Sequence, residues 1–248
     1  MKHLYLRCIA GIGLLCACTK TETVPYEAAA TNLMLEYKIV NVQGDPIYGA
    51  IQHNDTTISL YLPFYRQLAT LEPQIKVSAG ATVTPATGTM IEDLPAVFQN
   101  GRDIKYTVKN TAGNARVYTL HIIAQQPDME LQELTTDPAN PAEYTLDMNG
   151  IYSSIGINLY GKGFASSNDM MKIVLVNEQG KETAPVYFSS TNTNDLTMVG
   201  FSISRYQDQQ DPIVKDLAAT GLYKVRLYNY AKVITMKNPV RINVLNKK

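Results

Sequence analysis

The feature that most restricts the fold of this chain is a two-residue alternation that recurs in short runs and never lengthens into a helical period. Thr57-Ile58-Ser59-Leu60-Tyr61-Leu62-Pro63 sets Ile58, Leu60 and Leu62 against Ser59 and Tyr61. Successive strand side chains point to opposite faces, so such a run buries one face and wets the other. The pattern returns at Leu33 to Ile39, Lys105 to Lys109, Arg116 to Ile122 and Tyr223 to Asn229. Turn residues divide the runs at Asn54-Asp55, Gly80, Asn100-Gly101 and Thr111-Ala112-Gly113-Asn114. The last of these reads as a hairpin joining the strands on either side. Runs spaced by roughly 8–12 residues favour a β-sandwich. With 16 Tyr, 5 Phe and no Trp, the composition agrees. The expectation is an all-β chain.

The first residues have a different logic. Lys2 and Arg7 precede the apolar run Cys8 to Leu15, the order of a secretory signal. The run is far shorter than the roughly 18 residues that span a bilayer. Leu15-Cys16-Ala17-Cys18 closes it and resembles a bacterial lipobox, which implies removal of residues 1–17 and lipidation of Cys18. Cys16 fits worse as acceptor, because bulky Leu15 directly precedes it. Two or three acyl chains anchor a protein stably where one does not. All 3 cysteines lie in the first 18 positions, so the remainder must fold without disulfides or thiolate metal sites. Residues 18–31 read as a polar tether. Thr19-Lys20-Thr21-Glu22 partly resembles the surface-export signal of Bacteroidota lipoproteins, which implies a lipid-anchored, outward-facing protein of the outer membrane.

Without Lys2 and Arg7 the chain carries 20 basic and 22 acidic residues, so no basic excess is present to grip a nucleic-acid backbone. His53 and His121 are the histidines left once residues 1–17 are removed. His121 alternates with Leu120 and Ile122 as a strand residue, and His53 precedes a turn. No set of nucleophile, base and orienting group is visible. Asp208, Asp211 and Asp216 lie close in sequence, but the dense ligand spacing of a calcium loop is missing, so a solvated loop is the better reading. No metal, cofactor or catalytic residue is expected.

Two resemblances organise the rest. Residues 32–126, with Thr57 to Pro63, Ile75 to Pro85, Tyr106-Thr107-Val108 and Tyr118-Thr119-Leu120 in that order, resemble the immunoglobulin-like modules of Bacteroidota surface lipoproteins. Residues 127–248 carry Gly161-Lys162-Gly163-Phe164 at a strand end, then Lys172 to Asn177 and Gly221-Leu222-Tyr223-Lys224-Val225-Arg226-Leu227. These resemble IPT/TIG immunoglobulin-like domains. The resemblances imply two tandem immunoglobulin-like β-sandwich domains after a lipoprotein signal peptide, with Tyr223 as a tyrosine corner.

One strand suggests a ligand site. Tyr223, Val225 and Leu227 share a face that suits the core, which sets Arg226, Tyr228 and Tyr230 on the other. Two aromatic rings and a guanidinium on an open face suit flat sugar rings. The same residues also suit cross-strand packing or contact with the other domain, and the absence of Trp favours packing. Tyr61, Phe64 and Tyr65 are read as packing near a strand end. The functional expectation is a non-catalytic envelope lipoprotein that assists glycan capture, partnered by the membrane through its lipid and by a glycan or an envelope protein, and by no nucleic acid. The alternative is a structural or adhesion module that binds protein partners and no small ligand.

Overall fold

The computed structural model describes residues 31–101, 103–191, 196–207 and 209–245. Cys18, the signal segment and nearly all of the tether lie outside these residues, as does Asp208. Thr31–Lys248 forms one compact unit.

Residues 34–125 supply two sheets. The strands are β1 (Met34–Ile39), β2 (Ile47–Tyr48), β3 (Ala50–Gln52), β4 (Thr57–Pro63), β5 (Pro73–Val77), β6 (Thr82–Thr84), β7 (Ile104–Lys109) and β8 (Ala115–Gln125). The sheet β2-β1-β5 faces the sheet β3-β4-β8-β7-β6, in which β4 and β8 run parallel. The alternating side chains of β4 meet this geometry directly, with Ile58, Leu60 and Leu62 buried. Tyr37 and Tyr106 cross the core with hydroxyls 3.2 Å apart and rings edge-on at 5.4 Å. Burial and the neighbouring Tyr106 push the Tyr37 hydroxyl pKa far up, so this hydroxyl stays neutral. Tyr118 accepts from the Met34 amide at 3.3 Å and meets Nδ1 of exposed His53 at 2.9 Å. His53 is therefore tied to the core rim rather than merely solvated.

A short helix, α1 (Leu94–Asn100), stands where the sequence suggested only the turn at Asn100-Gly101. Its signals are local. Asp93 caps the Ala96 amide at 3.1 Å, Pro95 falls in the first turn, and Gly101 closes the helix with φ of 59°. At 7 residues it is too short to display a helical period.

The second half adds β9 (Glu130–Leu131), β10 (Glu143–Asp147), β11 (Tyr152–Lys162), β12 (Met171–Asn177), β13 (Tyr187–Thr191), β14 (Met198–Tyr206), β15 (Gln209–Gln210), β16 (Gly221–Asn229), β17 (Lys232–Thr235) and β18 (Val240–Leu245). One sheet has the order β10-β18-β16-β12, with β17 also on β16. The other has the order β13-β14-β11-β9, with β15 on β14. Their facing sides bury Ile155, Ile157 and Leu159 of β11, Phe201 and Ile203 of β14, and Val225 and Leu227 of β16. The Gly-Lys-Gly-Phe motif has a clear physical role. A Cβ at Gly161 would lie 2.0 Å from the Glu130 carbonyl oxygen, so only glycine lets β9 approach. Gly163 takes φ of 77°, and Phe164 turns fully into the core. At Gly221 the ring of Tyr223 folds back to within 3.1 Å of where a Cβ would stand.

Candidate functional site

The outer face of β16 does not hold the open platform expected of Arg226, Tyr228 and Tyr230. Arg226 and Tyr228 do lie on the solvent side, both half-buried. Their polar groups converge on one carboxylate. Arg226 Nη1 reaches Glu182 Oε1 at 2.6 Å, and the Tyr228 hydroxyl donates to the same oxygen. Arg226 Nε donates to Thr235 Oγ1 at 2.8 Å, and Lys172 Nζ sits 4.2 Å from the Tyr228 ring centroid. Burial pushes the Glu182 carboxyl up. The hydrogen bonds from Tyr228 and Arg226, with the charges of Arg226 and Lys172, outweigh it and hold the group below its ordinary value. This cluster is internally satisfied, and one face of the Tyr228 ring is covered.

Tyr230 is only 1% exposed, which takes it out of any open ligand face and agrees with the alternative of contact between the two halves. β16 ends at Asn229, and Tyr230 enters the hairpin turn with φ of 55°, which breaks the alternation and swings the ring away from the strand face. The ring packs on Phe64 and Phe98 of the first half, at centroid distances of 5.8 and 5.0 Å. Its hydroxyl donates to the Leu68 carbonyl at 3.1 Å. Buried Asn229 beside it accepts from Ala165 N at 2.9 Å and donates to the Gly163 carbonyl at 2.8 Å. Gln126 clamps the same turn, donating to the Asn229 carbonyl at 2.9 Å and accepting from Ala231 N at 3.1 Å. Gln67 Oε1 accepts both the amide and the hydroxyl of Ser166 at 2.9 Å. The third candidate is thus the plug between the halves. Of the Tyr61, Phe64 and Tyr65 group, only Phe64 packs in this way, while Tyr61 and Tyr65 are exposed.

The acidic loop resolves into structural contacts. Asp211 Oδ2 accepts the Ser204 amide at 2.6 Å, and Asp216 Oδ2 accepts the Ala184 amide at 2.7 Å. Among the described residues, no group of three or more His, Cys, Asp or Glu is placed to hold a metal.

An open aromatic face exists elsewhere, on the outer side of β11, β14 and β13. Among the described residues the strongly exposed tyrosines are Tyr48, Tyr61, Tyr65, Tyr152, Tyr160, Tyr187 and Tyr206, and the last four share this side. They are 62%, 48%, 57% and 52% exposed, respectively. The strand register orders them. Tyr152 lies opposite Tyr206, Ser154 opposite Ser204, Gly156 opposite Ser202, Asn158 opposite Gly200 and Tyr160 opposite Met198. Tyr187 of β13 pairs with Ser202, and Gln209 of β15 with Tyr206. Ser154 and Ser204 join hydroxyls at 2.9 Å. At ~3.4 Å per residue, the Tyr152/Tyr206 row stands about 14 Å from the Tyr187 row and about 27 Å from Tyr160. Aromatic rows thus recur along the sheet with small hydroxyl, amide and glycine positions between them.

This set escaped the sequence reading. Outward alternation of Tyr152, Ser154, Gly156, Asn158 and Tyr160 is visible in the chain, but the pairing that adds Tyr206 and Tyr187 is a matter of register.

Comparison with known proteins bears on the first half. Residues 34–122 match the family model described as SGBP, N-terminal. The match covers about a third of the 248 residues. No curated protein matches the chain. Among solved structures, a putative glycoside hydrolase of Bacteroides thetaiotaomicron aligns over 87% of this chain and 84% of its own at 12% identity, with a TM-score of 0.33. SGBP-B of the Bacteroides ovatus mixed-linkage glucan utilization locus, in complex with a mixed-linkage heptasaccharide, aligns over 84% of this chain and 47% of its own at 12% identity, with a TM-score of 0.23. The human desmocollin-1 ectodomain aligns over 83% and 45% at 11% identity, with a TM-score of 0.27. The all-β sandwich assignment rests on the sheets themselves.

Proposed function

We propose that this protein is a non-catalytic glycan-capture module, held at the cell surface by a lipid on Cys18, and that glycan lies on the tyrosine face of its second half. The observation that carries the reading is the gathering of Tyr152, Tyr160, Tyr187 and Tyr206 on one uncovered sheet face with hydroxyl and amide groups between them. An aromatic ring offers an apolar plane to the C–H face of a sugar, while Ser154, Ser202, Ser204 and Asn158 offer hydrogen bonds to its hydroxyls. Glycoside cleavage needs two carboxylates across the scissile bond. The paired rows from Tyr152/Tyr206 to Tyr160/Met198 contain none, which supports holding a glycan rather than cutting it.

The match of residues 34–122 to the SGBP N-terminal model supports this reading, SGBP denoting a surface glycan-binding protein. In this reading the first half is a spacer above the membrane, and the second is an IPT/TIG-type module turned to ligand binding. Affinity electrophoresis of the detergent-solubilised lipoprotein through gels containing soluble polysaccharides tests it. Retardation by at least one polysaccharide, lost in a Tyr152→Ala/Tyr206→Ala variant that keeps its far-UV spectrum, is the expected result. Absence of retardation across the set, with a stable envelope-protein partner instead, replaces the reading with that of an adhesion module.

A further inference from the structure

Building on that glycan-capture reading, we infer that the tyrosine face selects single, uncharged, extended polysaccharide chains lying along β11 and β14, and that it needs a long stretch of chain for full affinity. Three features of the face lead there.

The first is spacing. The aromatic rows are separated by four residues along the strands, first Tyr152/Tyr206, then Tyr187 beside Ser202, then Tyr160. With ~27 Å between the outer rows and roughly 5 Å per extended pyranose, full contact takes about six sugar units. A disaccharide can touch one row only. A compact or tightly coiled glycan cannot follow all three.

The second is charge. The five paired rows from Tyr152/Tyr206 to Tyr160/Met198 consist of Tyr, Ser, Gly, Asn and Met. The nearest ionic group on β11 is Lys162, paired at 3.0 Å with Glu130 of β9 beyond the last row. Arg205 of β14 leans off the face to donate to the Gly150 carbonyl at 2.7 Å. Within these five rows a uronate or sulfate would meet no cation to offset its desolvation. Neutral hydroxyls carry no such penalty.

The third is relief and twist. Gly156 sits at the centre of the face, where an added Cβ would meet nothing within 4 Å, so the surface dips between the tyrosine rows. Paired strands twist by roughly 20–25° relative to each other, which carries the three rows out of one plane. A single flexible chain can follow such a surface, whereas the flat face of a crystalline polysaccharide cannot.

Isothermal titration calorimetry with the detergent-solubilised lipoprotein separates the outcomes. The probes are cello- and manno-oligosaccharides of two, four and six units, hydroxyethylcellulose, glucomannan, polygalacturonate, amylose and crystalline cellulose. The expected result is that hexamers of at least one neutral series bind about tenfold or more tighter than the dimer. Tyr160→Ala should remove most of the gain of the hexamer over the dimer, and Gly156→Val should weaken the hexamer more than the dimer. Equal affinity for dimer and hexamer overturns the inference. So does preference for polygalacturonate, for amylose or for the crystalline form, and each of these leaves glycan capture standing. Binding to none of the probes overturns both.

Discussion

Truncating Tyr230 probes the joint between the two halves. The ring is sealed between Phe64 and Phe98, and its hydroxyl holds the Leu68 carbonyl at 3.1 Å. Large-to-small changes of buried aromatics cost about 3–5 kcal/mol, because lost transfer energy adds to the cavity left behind. The φ of 55° is a position where a non-glycine residue carries strain of order 1 kcal/mol, and alanine retains that strain. Tyr230→Ala is therefore expected to lose ~3–5 kcal/mol with no compensation from the backbone. Tyr230→Phe keeps the packing but deprives the Leu68 carbonyl of its donor, at about 1–2 kcal/mol. Urea unfolding followed by far-UV circular dichroism and tyrosine fluorescence reads both. The native chain should unfold in one transition, because the plug couples two cores. Tyr230→Ala should show two transitions of shallower slope, since each core survives while the joint opens. A single unshifted transition for Tyr230→Ala, within about 1 kcal/mol of the native midpoint energy, would refute the assignment of Tyr230 as the coupling element.

Other outcomes follow from the same geometry. The Glu182 carboxyl is held below its ordinary value in the folded state, so its contribution is present above the unfolded carboxylate pKa and lost as pH falls through the lowered folded value. Melting temperature against pH should accordingly drop more steeply on the acid side for the native protein than for Glu182→Gln. Equal slopes would show that the Arg226–Glu182–Tyr228 cluster is not linked to stability. Gly161→Ala forces a Cβ into the Glu130 carbonyl and should destabilise by about 1–3 kcal/mol in thermal melts, a clash that a flexible neighbour could not relieve. Gly156→Ala adds the same methyl group in open space and should leave the melt within about 0.5 kcal/mol, which makes it the stability control for the Gly161 clash.

How much was readable in the chain depends on the range of the forces involved. β1, β4, β7, β8 and β16 were legible because burial of one sheet face writes a two-residue period into the residues themselves. Tyr223, Val225 and Leu227 are buried as that period requires. Helix α1 was missed although Asp93, Pro95 and Gly101 mark its ends, because a helix of 7 residues has no period to detect. Arg226 and Tyr228 were placed on the correct side of β16, but their partner Glu182 is 44 and 46 residues away and left no local trace. Tyr230 leaves the outward face of β16 for a different reason. The period holds only while the strand lasts, and one left-handed residue after Asn229 turns an outward position into an interface plug.

What the sequence determined alone is therefore local in origin. It set the all-β character from alternation and turns, the absence of disulfides beyond residue 18 from cysteine placement, and the lack of a nucleic-acid-binding charge from composition. The tertiary structure decided which aromatic residues meet. Tyr152, Tyr160, Tyr187 and Tyr206 become one face only through strand register, and Tyr230 joins Phe64 and Phe98 only when the halves dock. Register and docking arise from many weak contacts between residues far apart in the chain, so no short run of sequence carries them.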